Sequence, residues 1–408
     1  MTSGTIIVGA GHAGVQAAAS LREEGYDGPV VLIGEEQELP YHKPPLSKTF
    51  IKDAAAKPQP LRGESFYEGN SIDYRPGLHV ERIDLAGRRL ELAGGASLAF
   101  DRLILATGSR PRRLPVEGAG LAGVVSLREV ADARLIRELS ASCTDVVVLG
   151  GGFIGLEIAA TLRAAGRNVT VVEAADRLLG RVVAAPIGEH VRQRLADLGV
   201  RILTGTTVSR LEGEKGHVSA AVTAAGERLP AQLVIVGVGV VPNVELAEQA
   251  GIAISNGIRV DHQMRTSVPE VLSVGDVASY RHWFTGGDVR LESVQNATDQ
   301  ARLAARTITG GTDAYGAVPW FWSDIGDMKL QMVGLTAGAD SHLTVGMPQD
   351  NRFCVYHFAG DRLVAVESVN RPADHMLGRK MLAAGFSPSR EAVAEGADAL
   401  KAALAAAG

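Results

Sequence analysis

Apolar residues in this chain come in short runs that end in glycine and then give way to helix-patterned stretches. Thr5 to Val8 is a β-branched run that enters Gly9-Ala10-Gly11-His12-Ala13-Gly14. Val15 to Arg22 then carries helical spacing, and Pro29 to Ile33 that of a second strand, ending at Gly34-Glu35. The same order returns at Val146 to Leu149, which runs into Gly150, Gly152 and Gly155; a helix-forming run follows from Leu156 to Ala165, and a strand from Val169 to Val172 ends in Glu173. Each segment therefore predicts a βαβ unit with a GxGxxG turn between strand and helix. In such a turn the first glycine makes the bend, the second admits a pyrophosphate and the third lets helix pack on strand. Glu35 lies 26 positions after Gly9 and Glu173 lies 23 after Gly150, against about 20 for the ribose-binding acid of a dinucleotide site. The Gly25 to Pro29 turn can absorb the larger excess.

Elsewhere the pattern is less regular. Leu39 to Lys48 reads as a proline-stiffened loop, and Tyr67 to Asp101 alternates short strands with turns. Arg102 to Pro111 is a buried strand stopping in the small-residue turn Ala106-Thr107-Gly108. Leu233 to Val241 predicts one buried strand ending at Pro242-Asn243. Val271 to Ala278 predicts a strand, a Gly-Asp turn and then a helix-prone region. From Val318 the character changes: strands such as Phe353 to Phe358 and Leu363 to Val369 predict a separate small α+β domain, and Ala392 to Ala407 a surface helix.

Composition narrows the function classes. A chain of 408 residues fits about two to three domains, and 46% hydrophobic with 21% charged residues supplies an ordinary core. A net charge of −5 argues against nucleic acid as the main partner, because phosphate neutralisation needs a basic face. Cys143 and Cys354 stand far apart, forming neither a CxxC motif nor a disulfide framework. The histidines make no HExxH-type set and the cysteines no iron–sulfur cluster motif, so no metal site is expected. The amino terminus lacks a basic leader and no apolar run approaches a membrane span. A soluble cytoplasmic protein without membrane association is expected.

The two fingerprints with acidic strand tips, the Ala106-Thr107-Gly108 turn between them and the late Val274-Gly275-Asp276 turn resemble the two-dinucleotide flavoprotein reductases. Leu46-Ser47-Lys48 after paired prolines, Glu157 at the second glycine loop, Glu292 to Ala297, Pro319 to Asp324, and Val369-Asn370-Arg371-Pro372 narrow the resemblance. They look like the putidaredoxin-reductase type of FAD-dependent ferredoxin reductase, in order and over nearly the whole chain. The resemblance implies an α/β fold with two Rossmann-like dinucleotide-binding domains. The FAD domain, 1–112 and 243–319, would be split by an inserted NAD(H)-binding domain, 113–242, with a small C-terminal α+β domain at 320–408.

It also implies roles. Gly9, Gly11, His12, Ala13 and Gly14 would cradle the FAD pyrophosphate at a helix N-terminus, and Glu35 would bind the adenosine ribose. Val80, Ala106, Thr107, Gly108 and Arg128 would contact FAD, although by chemistry alone Arg128 is one surface arginine among many. Gly275 and Asp276 would hold the ribityl chain, with Glu292, Val294 and Trp322 also at the flavin. The helix from Gln295 would aim its positive end at the flavin pyrimidine. Gly150, Gly152, Phe153, Ile154, Gly155, Glu157 and Gly239 would take the nicotinamide nucleotide. Glu173 favours NADH because a carboxylate pairs with a ribose 2′-OH and repels a 2′-phosphate; Arg181, a further cofactor candidate, and Arg177 are what a 2′-phosphate would need. Lys48 and Glu157 are the implied catalytic pair, the lysine near flavin N5 and the glutamate at the nicotinamide side, where they would position and tune the redox centre. Without the resemblance they read as a solvated lysine and an ordinary helix N-terminal glutamate.

Residues 35 to 70 hold no cysteine, which argues against the thiol–disulfide chemistry of related reductases. Reduced flavin must then pass its electrons outward, and flavin can accept a hydride and release electrons one at a time. The implied acceptor is a 2Fe–2S ferredoxin serving a cytochrome P450 or a ring-hydroxylating oxygenase. Trp320 and Trp322 would lie near the flavin edge or simply in the core, and Arg302, Arg306, Lys329 and Arg371 are candidates for docking an acidic ferredoxin. Rubredoxin, quinone, oxygen or a dye-like oxidant as acceptor, or an NADH-responsive binding protein akin to apoptosis-inducing factor, are the other readings. Monomer and homodimer both remain open.

Overall fold

The computed structural model describes residues 4–283 and 285–407. The chain divides into two compact units. One comprises Met1–His42, Gln59–Arg110 and Val241–Pro319; the other comprises Lys43–Pro58, Pro111–Val240 and Trp320–Gly408.

The first unit is built on a parallel sheet in the order Ile72–Arg75, Val30–Ile33, Gly4–Val8, Ser97–Leu105 and Val271–Ser273. Its central strand is buried throughout, as expected where both faces are covered. Alternate residues serve opposite faces. Ile7, Leu32, Ile104 and Leu272 pack with residues of the helices His12–Glu23 and Val294–Ile308. Ile6, Val8, Leu103 and Leu105 pack with the antiparallel hairpin Val80–Asp84 and Arg89–Leu92. Val8 pairs with both Ile33 and Leu105, and Leu105 with Ser273. The carboxyl ends of four strands therefore share one edge, where Gly9, Gly34-Glu35, Ala106-Thr107-Gly108 and Gly275-Asp276 emerge.

The second unit repeats the plan with Arg201–Leu203, Asn168–Val172, Asp145–Leu149, Leu233–Val236 and Val124–Val125, all parallel. Leu149 pairs with Val172 and Val236, so Gly150, Glu173 and the Gly237–Gly239 turn leave a common edge. The same unit holds a five-stranded antiparallel sheet in the order Trp320–Ile325, Met328–Gly334, Arg362–Val369, Arg352–Ala359 and Ser341–Met347. Glu367 in this sheet, 2% exposed, accepts Ala184 N at 3.0 Å and contacts His357 Nε2 at 2.9 Å. Its charge thus sits at the start of the helix Ala185–Asp197, where the helix dipole favours it.

Several local expectations are corrected. The proline-rich loop contains a 3₁₀ turn, Pro44–Ser47, followed by the short helix Thr49–Lys52; the fixed φ of paired prolines suits a helical first turn. Tyr67 belongs to the helix Glu64–Gly69, not to a strand. The run Leu233 to Val241 is two strands, Leu233–Val236 and Val240–Pro242, separated at Gly239 with φ +99°. After Gly275-Asp276 the chain makes a 3₁₀ turn and then the strand Ala278–Arg281, which pairs with Gly257–Val260. The alanine-rich tail is two helices, Arg390–Glu395 and Ala397–Ala407, broken at Gly396 with φ +101°. Among the described residues no helix is long and apolar enough to cross a membrane.

His375, in the helix Pro372–Ala383, is 1% exposed and lies edge-on to Trp320 with ring centroids 5.9 Å apart. Neither ring nitrogen has a hydrogen-bond partner among the described residues. Burial, reinforced by the Arg379 charge, depresses its pKa to about 4. The unfolded chain takes up this proton near pH 6.5, whereas the folded one resists until about pH 4. The stability contributed by neutral His375 is therefore full above about pH 6.5 and is lost as pH falls toward about 4. Urea unfolding across this window should show a shallower acid loss for His375→Phe than for the parent chain; identical slopes would remove this role.

Candidate functional site

The two glycine turns solve one geometric problem twice. Gly9 and Gly150 both have φ +107°, a left-handed value that a side chain strains. A Cβ on Gly9 would lie 2.3 Å from Ala106 O, and one on Gly150 would lie 2.3 Å from Gly237 O. A Cβ on Gly14 would come within 1.8 Å of Gly9 O, and one on Gly155 within 2.6 Å of Gly150 O. Gly11 and Gly152, by contrast, face open space with nothing within 4 Å. Each is the residue before a helix, His12–Glu23 or Phe153–Ala164, and neither supplies a side-chain cap. Uncapped amides and the positive end of the dipole suit an anion there. The chain thus offers two cradles whose second glycine is the open one, which is what a nucleotide pyrophosphate requires.

Around the first cradle, Ala106 N donates to Val8 O at 2.8 Å. Thr107 and Asn243 clasp each other: Thr107 Oγ1 donates to Asn243 O and Asn243 Nδ2 to Thr107 O, both at 2.8 Å. Asn243 N also donates to Gly108 O at 3.0 Å. The turn is therefore fixed by a residue that the sequence reading placed only at a strand end; the Pro242-Asn243 punctuation was the available signal. Ser109 Oγ donates to Asp276 at 3.3 Å. The half-sequestered Arg290 donates to Asp276 O at 2.9 Å and pairs with Glu292 at 2.7 Å. Gly275 N donates to Gln300 Oε1 at 2.8 Å, and Ser293 caps the helix that begins at Val294 by accepting Asn296 N at 3.1 Å. His12 stands edge-on to His42, ring centroids 5.6 Å apart. Glu35 is exposed and held by His79 Nδ1 at 2.5 Å. The Val80 side chain is buried in the core. Arg128 belongs to the second unit, where its carbonyl accepts Lys43 Nζ at 3.5 Å.

At the second cradle, Glu173 is locked in place: Oε2 accepts Gly151 N at 2.5 Å and Oε1 accepts Ala175 N at 2.7 Å. Arg177 turns into its own loop, donating to Val183 O at 2.9 Å and Gly180 O at 2.6 Å, while Arg181 is exposed. Phe153 packs on Phe321 with centroids 4.8 Å apart, and Ile154 is exposed. Gly239 O accepts Arg112 N at 2.9 Å. Trp320 and Trp322, both half-buried, lie 5.5 Å apart, with the Arg379 guanidinium 4.6 Å over Trp320. Of the basic docking candidates, Arg371 is held inward by buried Asp374 at 2.8 Å, and Arg306 stands between Glu24 and Asp313. Arg302 and Lys329 are exposed.

Two sequence-distant segments of the second unit converge on Glu157, which is 7% exposed at the start of the helix Phe153–Ala164. Lys48 Nζ lies 2.7 Å from Glu157 Oε2, and Ser47 Oγ donates to the same oxygen at 2.5 Å. Ser323 Oγ donates to Oε1 at 2.6 Å. Lys48 Nζ also reaches Pro44 O at 3.1 Å and Ser47 Oγ at 3.3 Å. A desolvated carboxylate needs such donors, because leaving a buried charge unpaired is costly. Ser47 and Ser323 were not singled out as site residues by the sequence reading.

Residues 4–301 match the family model described as pyridine nucleotide-disulphide oxidoreductase, and residues 320–404 the one described as reductase C-terminal. Rhodocoxin reductase of Rhodococcus erythropolis is 43% identical over 401 residues, covering 98% of this chain and 94% of its own length. The ferredoxin reductase for the CYP199A2 system from Rhodopseudomonas palustris superposes with a TM-score of 0.94 at 42% identity, covering 96% of this chain and 97% of that one. The reductase in the covalent putidaredoxin reductase–putidaredoxin complex superposes with a TM-score of 0.95 at 38% identity, covering 100% of this chain and 99% of that one.

The open and filled glycines make opposite predictions. Gly14→Ala forces a methyl into the Gly9 carbonyl and should cost about 3 kcal/mol or more of stability, read by denaturant unfolding. Gly11→Ala meets no non-neighbouring atom among the described residues, so unfolding of the flavin-free protein should stay near that of the parent while FAD binding weakens roughly tenfold, about 1.4 kcal/mol. Equal FAD affinity in Gly11→Ala would remove this loop from the cofactor site.

Proposed function

The chain belongs to the pyridine nucleotide-disulphide oxidoreductase family, and we propose that it takes a hydride from NADH onto FAD and passes the electrons to a 2Fe–2S ferredoxin supplying a cytochrome P450 or a ring-hydroxylating oxygenase. It is an oxidoreductase of the ferredoxin–NAD(P)⁺ reductase kind, and these enzymes use FAD and NAD(P)H. The observation that carries the reading is the duplicated cradle, with Gly11 and Gly152 open where their flanking glycines are filled. Two dinucleotides on one chain are what hydride transfer between a nicotinamide and a flavin requires.

FAD supplies the step from a two-electron donor to a one-electron acceptor. The chain's own residues bind and orient. We assign FAD to residues 1–112 and 243–319, the nicotinamide nucleotide to 113–242, and the remainder, 320–408, to the C-terminal domain. In the FAD site Gly9 to Gly14 would receive the pyrophosphate, Glu35 the adenosine ribose, and Asp276 the ribityl chain. The clasped Thr107 and the amino end of the helix Val294–Ile308 would face the isoalloxazine. In the nicotinamide site Gly150 to Gly155 would receive the second pyrophosphate, with Phe153 and Gly239 beside it. Lys48 and Glu157 would fix charge beside the reacting rings rather than carry a proton, since hydride transfer to a bound flavin would need no protein acid.

Glu173 supports NADH over NADPH. Its two oxygens are already oriented by Gly151 and Ala175, and a 2′-phosphate would meet that fixed anion. Arg177, the nearer arginine in sequence, is committed to Val183 and Gly180. A cytoplasmic setting is consistent with two buried, unpaired cysteines.

Stopped-flow reduction of the purified yellow protein tests the reading. NADH should bleach the flavin at least tenfold faster than NADPH at equal concentration, and Glu173→Ala should narrow that ratio. Reoxidation by a 2Fe–2S ferredoxin should be fast and should slow steeply with added salt, because exposed charges such as Arg302 and Lys329 are screened. Slow reoxidation by every ferredoxin, with fast reoxidation by rubredoxin or a quinone, would replace the acceptor; a salt-independent rate would remove electrostatic docking.

A further inference from the structure

Ser47 and Ser323 have hydroxyls that serve one acceptor. They are 4% and 1% exposed, so bulk water does not compete for them. Each hydroxyl has a single hydrogen. For Ser47 the alternative acceptor, Pro44 O, lies at 3.4 Å against 2.5 Å for Glu157, so the hydrogen goes to the carboxylate. Thr161 Oγ1 donates to Ser47 O at 3.0 Å, which fixes the backbone that carries the hydroxyl. Ser323 lies on the strand Trp320–Ile325, in register with Leu330 of the next strand, and its hydroxyl reaches the other carboxylate oxygen. Glu157 thus has one hydroxyl donor on each oxygen before Lys48 is counted.

Lys48 is the less fixed member of the group. Its side chain is 22% exposed against 8% for that of Glu157, and it has Pro44 O as a second acceptor. If the ammonium were the sole partner, any displacement of Lys48 would leave a buried anion without a donor, which is costly.

We propose that Ser47 and Ser323 are positioning residues for the reaction: they hold the Glu157 carboxylate charged and in one orientation whether or not Lys48 is on it. The inference rests on the reading of Lys48 and Glu157 as the pair at the nicotinamide–flavin junction. A fixed anion on the nicotinamide side favours the ring that becomes cationic as hydride leaves, so holding that charge assists the forward transfer.

The test uses the full-length FAD-loaded protein with isotope-labelled glutamate, read by infrared difference spectroscopy, by the flavin midpoint potential and by single-turnover reduction with NADH. Lys48→Met alone should retain the ionised carboxylate band of Glu157. Adding Ser323→Ala to Lys48→Met should bring up a protonated carboxyl band, shift the flavin potential further, and slow reduction at saturating NADH by at least a further tenfold. Replacing Ser323→Ala by Ser323→Thr in that background should restore all three readouts, because threonine keeps the hydroxyl. The corresponding Ser47→Ala and Ser47→Thr changes provide the same comparison through the other oxygen. An ionised band and unchanged potential in both alanine backgrounds would overturn the proposal and leave the serines as packing residues. Glu157→Gln separates the two layers: wild-type reduction rate and potential in that variant would overturn the junction reading itself, even with the infrared result as expected.

Discussion

A parallel sheet obliges every strand to release its chain at the same edge. That constraint gathers the candidate site residues of each unit. Val8, Leu105 and Ser273 are far apart in the chain but stand in register, so the turns after them, at Gly9, Ala106 and Gly275, must leave together. Had one of these strands run antiparallel, its turn would lie at the opposite end of the sheet. The same register in the second unit brings Gly150, Glu173 and Gly237 to one edge. Burial of both sheet faces makes the register hard to slip, because a one-residue shift would exchange the helix-facing set around Ile7 for the hairpin-facing set around Ile6.

A second constraint, the cost of burying charge, ties together what the sheet does not. Glu157 sits inside the second unit and draws a donor from each of two distant segments, 43–58 and 320–408. The 3₁₀ turn at Pro44–Ser47 brings Ser47 and Lys48 onto the same carboxylate oxygen. The antiparallel sheet of the C-terminal region brings Ser323 onto the other. The turn and the sheet strand thus supply one hydroxyl to each carboxylate oxygen, and Lys48 adds its charge to the oxygen that Ser47 serves.

Much of this was legible in the sequence because period and punctuation agree. Both βαβ units, their glycine turns and their acidic strand tips follow from apolar runs ending in glycine. What was not legible depends on contacts between distant positions. Nothing local marks Ser47 or Ser323 as hydroxyls aimed at a carboxylate, and Asn243 looks like ordinary strand punctuation until it is seen clasping Thr107. The misread elements share a cause as well. The helix-prone region expected after Asp276 is a strand because Gly257–Val260 offers it a parallel ladder, and the expected single strand at Leu233 to Val241 is broken because Gly239 adopts a left-handed φ. Tertiary pairing and backbone handedness outweigh local propensity in both places.

The duplicated units differ most in how they treat the acid at the second strand tip. In the first unit the position beside the turn is Ala10, whose methyl would lie 2.9 Å from a Cβ on Gly34. The strand must therefore end in glycine before Glu35, and the carboxylate is carried outward to an exposed His79. In the second unit the corresponding turn residue is Gly151, where a Cβ would come within 2.6 Å of Leu178 and 3.1 Å of the Glu173 carboxylate. Glycine there leaves the space that Glu173 fills, and the Gly151 amide fixes it. The first acid is thus exposed and paired with a side chain, whereas the second is fixed by two backbone amides. Preorganisation of this kind favours selection between closely related ligands, because the anion cannot turn aside to accommodate a second negative group. Gly151, where the first turn has Ala10, leaves the space that this arrangement needs.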